Sequence, residues 1–452
     1  MGRQPPNGGR HSSLARSRAH LSLLRSLFQT GLCDLATDEF ERRQVLDPTD
    51  RLQLRSLENL TTLDLEHTET TDAGLKQLSG LKNLESLNIG GTKITDAGLK
   101  ELSSLKNLTT LNLERTEITD AGLKQLSGLT NLKSLSFSSD ENITDVGLKE
   151  LSGLKELTTL DVCATNITDA GLKELRGLKK LEWLNVCANA ITDVGLKELG
   201  GLKNLTTVYF TGEEITDAGL WELSGLTHLT RLEIVFGKRI TVAGLKELSG
   251  LKSLKSLGIG WMKVTDAGLK ELSGLKNLTT LNLGTATEIS DAGLKELNRL
   301  KNLKSLGLGE TEITGTGLKE LAGLKNLESL SLFSSKMTNA GLKELGGLKD
   351  LKSLSLRVPK ISDDGLKELS GLGNLESLDL FDTEITNAGL KTIGVLKKLK
   401  SLDLRGTKIT DAGLRELSAL SNLTTLELDA QVSGAGRRES PRNSSVPADP
   451  VG

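Results

Sequence analysis

Aromatic side chains are scarce in this chain, with three tryptophans, one tyrosine and seven phenylalanines among 452 residues. A core built on rings is thereby excluded, and any place where rings gather becomes informative. Cysteine is as rare: only Cys33, Cys163 and Cys187 occur. Three thiols cannot make a disulfide framework, and no cysteine-rich cap flanks the rest of the chain. This points to a reducing compartment and a cytoplasmic location, with secretion as the alternative. Neither sign of charge dominates, since the net charge is −2. Lysine and glutamate alternate at sites such as Lys197-Glu198 and Lys367-Glu368, so a uniformly basic face for nucleic acid is excluded. Long apolar runs are missing too. The stretch from Leu21 to Phe28 is short and broken by Arg25, which leaves no membrane span.

What the chain has instead is repetition. The segment Leu108-Thr-Thr-Leu-Asn-Leu-Glu-Arg-Thr-Glu-Ile-Thr-Asp-Ala-Gly-Leu-Lys-Gln-Leu126 recurs with small changes, and its glycine returns every 24 or 25 residues from Gly74 to Gly413. Within a unit the apolar period switches. Leu111 and Leu113 alternate with polar neighbours, the period of a strand with one buried face. From Ile94 to Leu102 the apolar positions step by three or more, which predicts a short helix. Thr95 suits its N-cap and Asp96 its first turn, where a carboxylate is favoured. The recurring glycine keeps a Cβ out of a crowded seam, because a ligand-binding glycine would not be periodic. One unit cannot bury its leucines alone, so neighbours must stack in parallel.

The array is expected over residues 57–429 as about sixteen units. Residues 1–56 form an N-terminal arm with Arg3, Arg10, Arg16 and Arg18. Its leucines Leu21, Leu24 and Leu27, with Phe28, recur at helical spacing, so the arm is expected to be partly helical and to cap the first strand. Residues 430–452 are rich in serine, glycine, proline and arginine and are expected to be a disordered tail.

Consensus positions report folding, so binding residues are sought among outward strand positions that differ between units. Most are Thr, Ser, Asn, Asp or Gly. Over four successive units they become Trp183, Tyr209, Val235 with Phe236, and Trp261, with Arg231 and Glu233 between them. Aromatics with an arginine on a solvated sheet are what a binding hot spot contains. A second, sparser set follows on the same face: Phe333, Arg357, Phe381 and Arg405. Trp221 replaces a helix lysine and belongs to neither. The extra residue of each 25-residue interval falls after a strand, at Ser138–Asn142, Val235–Arg239 and Gly284–Glu288, which places the insertions on one rim.

Catalysis finds no footing. The four histidines, His11, His20, His67 and His228, never share a repeat position with a cysteine, and phosphate loops, dinucleotide fingerprints and paired-histidine motifs are all missing. No metal or cofactor site is expected. Asp161, Asp379 and Asp403 occupy strand positions where a solvated polar residue is ordinary. Cys163 and Cys187 stand at one position of adjacent units and are expected to be reduced thiols. The Asn-Leu-Thr triplets, such as Asn107-Leu108-Thr109, are repeat consensus in the turn before a strand.

From Leu57 to Asp429 the pattern Leu-x-x-Leu-x-Leu-x-x-Thr-x-Ile-Thr-Asp-Ala-Gly-Leu resembles the leucine-rich repeat superfamily, nearest to ribonuclease-inhibitor-like and F-box-associated arrays and long bacterial proteins of this type. Threonine, as at Thr92, Thr116, Thr311 and Thr407, stands where the family often has asparagine or cysteine, and its hydroxyl is expected to bond loop backbone groups. The resemblance implies an α/β solenoid of horseshoe form, with a parallel sheet on the concave face and short helices on the convex face. It also implies a non-enzymatic scaffold that binds another protein through the inner face. Alternatives are a substrate-recognition or regulatory subunit of a ubiquitin-ligase-like or other enzyme complex, or a secreted or surface module for adhesion or ligand recognition. Residues 1–56 lack the leucine-proline opening of an F-box. Partner identity and oligomeric state are not written in the sequence.

Overall fold

The leucines of each unit enter two kinds of element because their period changes from two to three or four. The computed structural model describes residues 59–284, 288–333 and 336–429. In it Thr110–Asn112 is a strand, and Asp120–Gln125 is a helix that ends in a tight 3-10 turn at Leu126–Gly128. Leu111, Leu113, Leu123 and Leu126 from these elements are all buried. Each such leucine contributes about 1.5–3 kcal/mol on leaving water. The expected arm and tail lie outside the described residues.

The chain divides into two compact units, one ending at Ala190 and the other starting at Ile191. The first holds strands β1 (Thr62–Asp64), β2 (Ser86–Asn88), β3 (Thr110–Asn112), β4 (Ser134–Ser136), β5 (Thr159–Asp161) and β6 (Trp183–Val186). The second holds β7 (Thr207–Thr211), β8 (Arg231–Val235), β9 (Ser256–Gly260), β10 (Thr280–Gly284), β11 (Ser305–Gly309) and β12 (Ser329–Phe333), then β13 (Ser353–Leu356), β14 (Ser377–Asp379), β15 (Ser401–Asp403) and β16 (Thr425–Glu427). In each unit the strands lie side by side in chain order and parallel. Leucine pairs with leucine, as Leu63 with Leu87 in the first unit and Leu354 with Leu378 in the second. This is the expected α/β repeat solenoid of parallel strands and short helices.

The helix start holds more than a cap. Thr119 Oγ1 accepts from Ala121 N at 3.2 Å, as a capping threonine should. The same hydroxyl donates to Asp96 Oδ2 of the preceding repeat at 2.7 Å, and Thr119 N donates to Asp96 Oδ1 at 2.7 Å. The aspartate expected to serve its own helix dipole therefore clasps the next helix. The clasp recurs from Asp72 to Thr95, Asp145 to Thr168, Asp193 to Thr216 and Asp363 to Thr386. It also explains the glycine. A Cβ on Gly122 would overlap Asp96 Oδ1, and one on Gly219 would overlap Asp193 Oδ1. The crowded seam is there, and the crowding atom is the clasping carboxylate.

Two further side chains join neighbouring repeats. Asn107 Nδ2 donates to Lys82 O at 2.9 Å, and Asn277 Nδ2 to Lys252 O at 2.8 Å. After the strand, Thr92 Oγ1 donates to Ile89 O at 2.6 Å and Thr116 Oγ1 to Leu113 O at 2.8 Å. Threonine thus closes the loop that the resemblance assigns to asparagine or cysteine.

The clasp is missing where Val242 replaces the aspartate, and there Thr265 turns to cap Gly268 N at 3.3 Å instead. Restoring the acid with Val242→Asp should raise stability by about 1 kcal/mol, because two charge-assisted hydrogen bonds form at an existing cap. Chemical denaturation of the two proteins measures the difference; an unchanged or lower midpoint would contradict the clasp.

Candidate functional site

Strand parity puts alternate side chains on the open face of each sheet, and bulk varies along that face. In the first unit Trp183 pairs with Thr159 at the start of β6 and is half-buried. The remaining candidate binding residues all belong to the second unit.

Around β7 to β9 the side chains close over one another. Tyr209 faces Glu233 across the ladder, and Glu233 faces Gly258. Gly258 leaves the space that the Glu233 carboxylate fills, since a Cβ there would overlap it. The Arg231 guanidinium carbon sits 5.4 Å from the centre of the Tyr209 ring, a cation–π distance. Arg231 Nε is 3.3 Å from Glu233 Oε1, near enough for an ion pair but not aligned as a hydrogen bond. Tyr209 and Glu233 each keep only 9% of their surface. The tyrosine expected to project freely is therefore covered by its neighbour's guanidinium. Burial pushes the Glu233 carboxyl up to about 7, while the Arg231 charge holds it lower than burial alone would.

The corner after many of the strands holds a feature that parity does not reveal. Arg115, Ser139, Ala164, Phe236, Trp261 and Asp382 all have positive φ there, and Gly91 and Gly406 occupy the same corner. Left-handed backbone costs an L-residue roughly 1–2 kcal/mol. Phe236 and Trp261 take this conformation in adjacent repeats, with ring centres 5.6 Å apart and planes inclined by 30°. Phe236 is 3% exposed. Its expected place on the binding face is corrected: the corner turns it inward beneath Trp261. The half-buried Trp261 and Val235 stay at the surface.

The second set of residues is the more open. Phe381 lies between two guanidiniums, Arg357 at 5.4 Å and Arg405 at 5.7 Å from its ring centre. Arg357 Nε donates to Asp379 Oδ2 at 2.8 Å. Arg405 grips Asp403 with two bonds, Nε to Oδ1 at 3.0 Å and Nη2 to Oδ2 at 2.7 Å, and also reaches Glu427 at 2.6 Å. The Asp403 hydrogen bond holds Arg405 charged beyond its ordinary range. Asp379 and Asp403, read from sequence as ordinary solvated residues, thus anchor the two arginines. Phe333 and Phe381 are 43% and 37% exposed. Trp221 is exposed on the helix Asp217–Leu223, apart from these groups as expected.

In the first unit the carboxyl of Asp161 is pushed up to about 7 by burial, against a hydrogen bond from Cys163 N at 3.0 Å. The Glu114 charge raises it further, and the Asn185 amide at 3.3 Å lowers it. Neither Cys163 nor Cys187 is in a disulfide. Among the described residues no group of three or more His, Cys, Asp or Glu side chains is placed to hold a metal ion, and no helix is long and apolar enough to cross a membrane.

A family model described as leucine-rich repeat region matches residues 46–289, and one described as leucine rich repeat matches 374–394 and 395–418. The chain belongs to the leucine-rich repeat family. Comparison with curated proteins gave no match. Among solved structures, a leucine-rich repeat protein of Leptospira interrogans is 26% identical, with a TM-score of 0.51 over 88% of this chain and 97% of that one. An internalin (inlF) of Listeria monocytogenes is 25% identical, with a TM-score of 0.44 over 84% of this chain and 89% of that one. The protein of a TLR13–ssRNA13 complex is 23% identical, with a TM-score of 0.55 over 85% and 58%.

The Glu233 environment gives a pH-dependent expectation. Its folded value, about 7, lies above that of an exposed glutamate, so the folded chain holds the extra proton between the two values and stability falls as pH rises through that window. Glu233→Gln removes the titration. The stability of wild type relative to Glu233→Gln should fall by roughly 2 kcal/mol between about pH 5 and pH 8. Denaturation at both pH values measures it, and a constant difference would refute the assignment.

Proposed function

We propose that the protein is a non-enzymatic scaffold that binds another protein across the open sheet face of its second unit. The observation that carries this reading is the Phe381 ring held between Arg357 and Arg405, with each arginine fixed by carboxylates. Such groups are ordered before a partner arrives, so little side-chain entropy is lost on binding. Rings and arginines are also the residues that dominate protein interfaces. Phe333 adds a second exposed ring, and Trp261 with Val235 extends the surface over β8 and β9.

One structural neighbour is in complex with an RNA. On this chain the arginines of the face are paired with Asp379, Asp403 and Glu427. Phosphates would have to displace those acids, and a protein partner would not. The raised carboxyls of Asp161 in the first unit and Glu233 in the second follow from burial.

Capture of a partner from host extract by the full chain, compared between variants, tests the reading. Phe333→Ala combined with Phe381→Ala should weaken capture by about tenfold or more, because both rings sit at the surface. Trp221→Ala, on the helical side, should capture as wild type does. Loss with Trp221→Ala and retention with the phenylalanine pair would move the binding surface to the helices.

A further inference from the structure

The first 25-residue repeat carries an aspartate where its neighbours carry an uncharged residue. Asp140 follows the left-handed corner at Ser139, the loop position filled by Thr92, Thr116, Thr165 and Asn189 in other repeats of the first unit. It is 3% exposed. One carboxyl oxygen accepts from Thr116 N. Its Oδ2 is buried and has no hydrogen-bond partner.

Asn189 shows what the position asks for. Its Oδ1 accepts from Thr165 N at 3.2 Å and from Thr165 Oγ1 at 2.9 Å. Its Nδ2 donates to Val162 O at 2.7 Å and to Cys187 O at 3.2 Å. Shifted to the Asp140 repeat, the corresponding carbonyls are Leu113 O and Ser138 O. Leu113 O already accepts from Thr116 Oγ1, as Val162 O does from Thr165 Oγ1, and Ser138 O accepts from Arg115 N, as Cys187 O does from Ala164 N. The two sites share the backbone amide that donates to the side chain, Thr116 N at Asp140 and Thr165 N at Asn189, and the same pair of carbonyls with the same donors. An ionised Asp140 oxygen in the place of Asn189 Nδ2 would face carbonyl lone pairs. A protonated one would donate as the amide does.

We propose that Asp140 acts as a protonated stand-in for asparagine that latches the rim loop Ser138–Asn142, and that loss of this proton opens the latch. The loop is thereby a pH-sensitive element of the first unit. The groups around Asp140 favour the neutral form. Burial pushes its carboxyl up to about 8, the Thr116 amide opposes this, and the Glu114 carboxylate on the preceding repeat adds to it. Glu141 is the other acid of the loop. The following repeat brings Cys163, whose carbonyl accepts from Ser139 N at 2.8 Å, and the carboxyl of Asp161, itself raised. With the folded value above that of an exposed aspartate, the folded state holds more protons than the unfolded one between them. Stability contributed by the latch is full at acid pH and lost as pH rises through about 8.

The test uses the full chain and Asp140→Asn, which supplies the donor at every pH. Thermal unfolding should show the two proteins diverging as pH rises from about 6 to about 9, with the variant the more stable at the upper end. Hydrogen exchange over residues 138–143, corrected for intrinsic rates, should be about tenfold faster in wild type at the higher pH and unchanged in the variant. Parallel unfolding curves across this range, or loop exchange that speeds up equally in both proteins, would overturn the proposal. If Asp140→Asn does not fold, a pH-independent corrected exchange in wild type alone would overturn it.

Discussion

The aspartate after a capping threonine accepts two hydrogen bonds from the threonine of the next repeat, as Asp96 does from Thr119 and Asp193 from Thr216, and this contact ties one helix start to the next. A carboxylate beside a helix N-terminus is already favoured by the helix dipole. Here it serves two helices at once, its own first turn and the cap of the next. Where the clasp forms, the glycine of the repeat leaves room for it, since a Cβ on Gly147 or Gly171 would overlap Asp120 or Asp145. Leucine burial drives collapse and fixes the strand register, since a slip of one residue would turn the leucines to the open face. The paired bonds fix how one helix start meets the next where the clasp forms.

The clasp also varies where the consensus varies. Asp291 accepts from Thr314 Oγ1, Thr316 Oγ1 and the Gly317 amide, because Gly315 replaces the next aspartate and opens the turn. Burial would raise its carboxyl, yet these bonds hold it below the ordinary carboxylate range. Asp291 therefore stabilises the fold above that range and stops doing so once acid protonates it. Glu233 and Asp140 behave in the opposite sense, because they are buried with too few donors.

Periodicity made most of the fold legible. The change from alternation to a three-or-four step located strand and helix, and the repeating glycine announced a seam. The atom that crowds the seam was hidden, because the interaction joins Asp96 to Thr119, two residues that sequence places in separate helices. Parity put Trp221 on the helical side correctly. It could not reveal that the Arg231 side chain folds over Tyr209, which depends on rotamers and not on period. Phe236 was misplaced because the chain turns left-handed after the strand, and alternation ends there. Gly91 and Gly406, aligned at that corner, were the available signal. The role of Asp379 and Asp403 was missed for a related reason: an acid two residues before a phenylalanine or an arginine on a strand looks solvated until the guanidiniums are placed.

A double-mutant cycle on Asp193 and Thr216 tests the clasp most directly. Denaturation of wild type, Asp193→Ala, Thr216→Val and the pair yields a coupling energy free of the cost of each single change. Thr216→Val removes the 2.6 Å bond from Thr216 Oγ1 to the Asp193 carboxylate and leaves the one from Thr216 N, and the lost charge-assisted bond predicts a coupling of about 1 kcal/mol. A coupling near zero would contradict the clasp and leave leucine packing alone to set the stack.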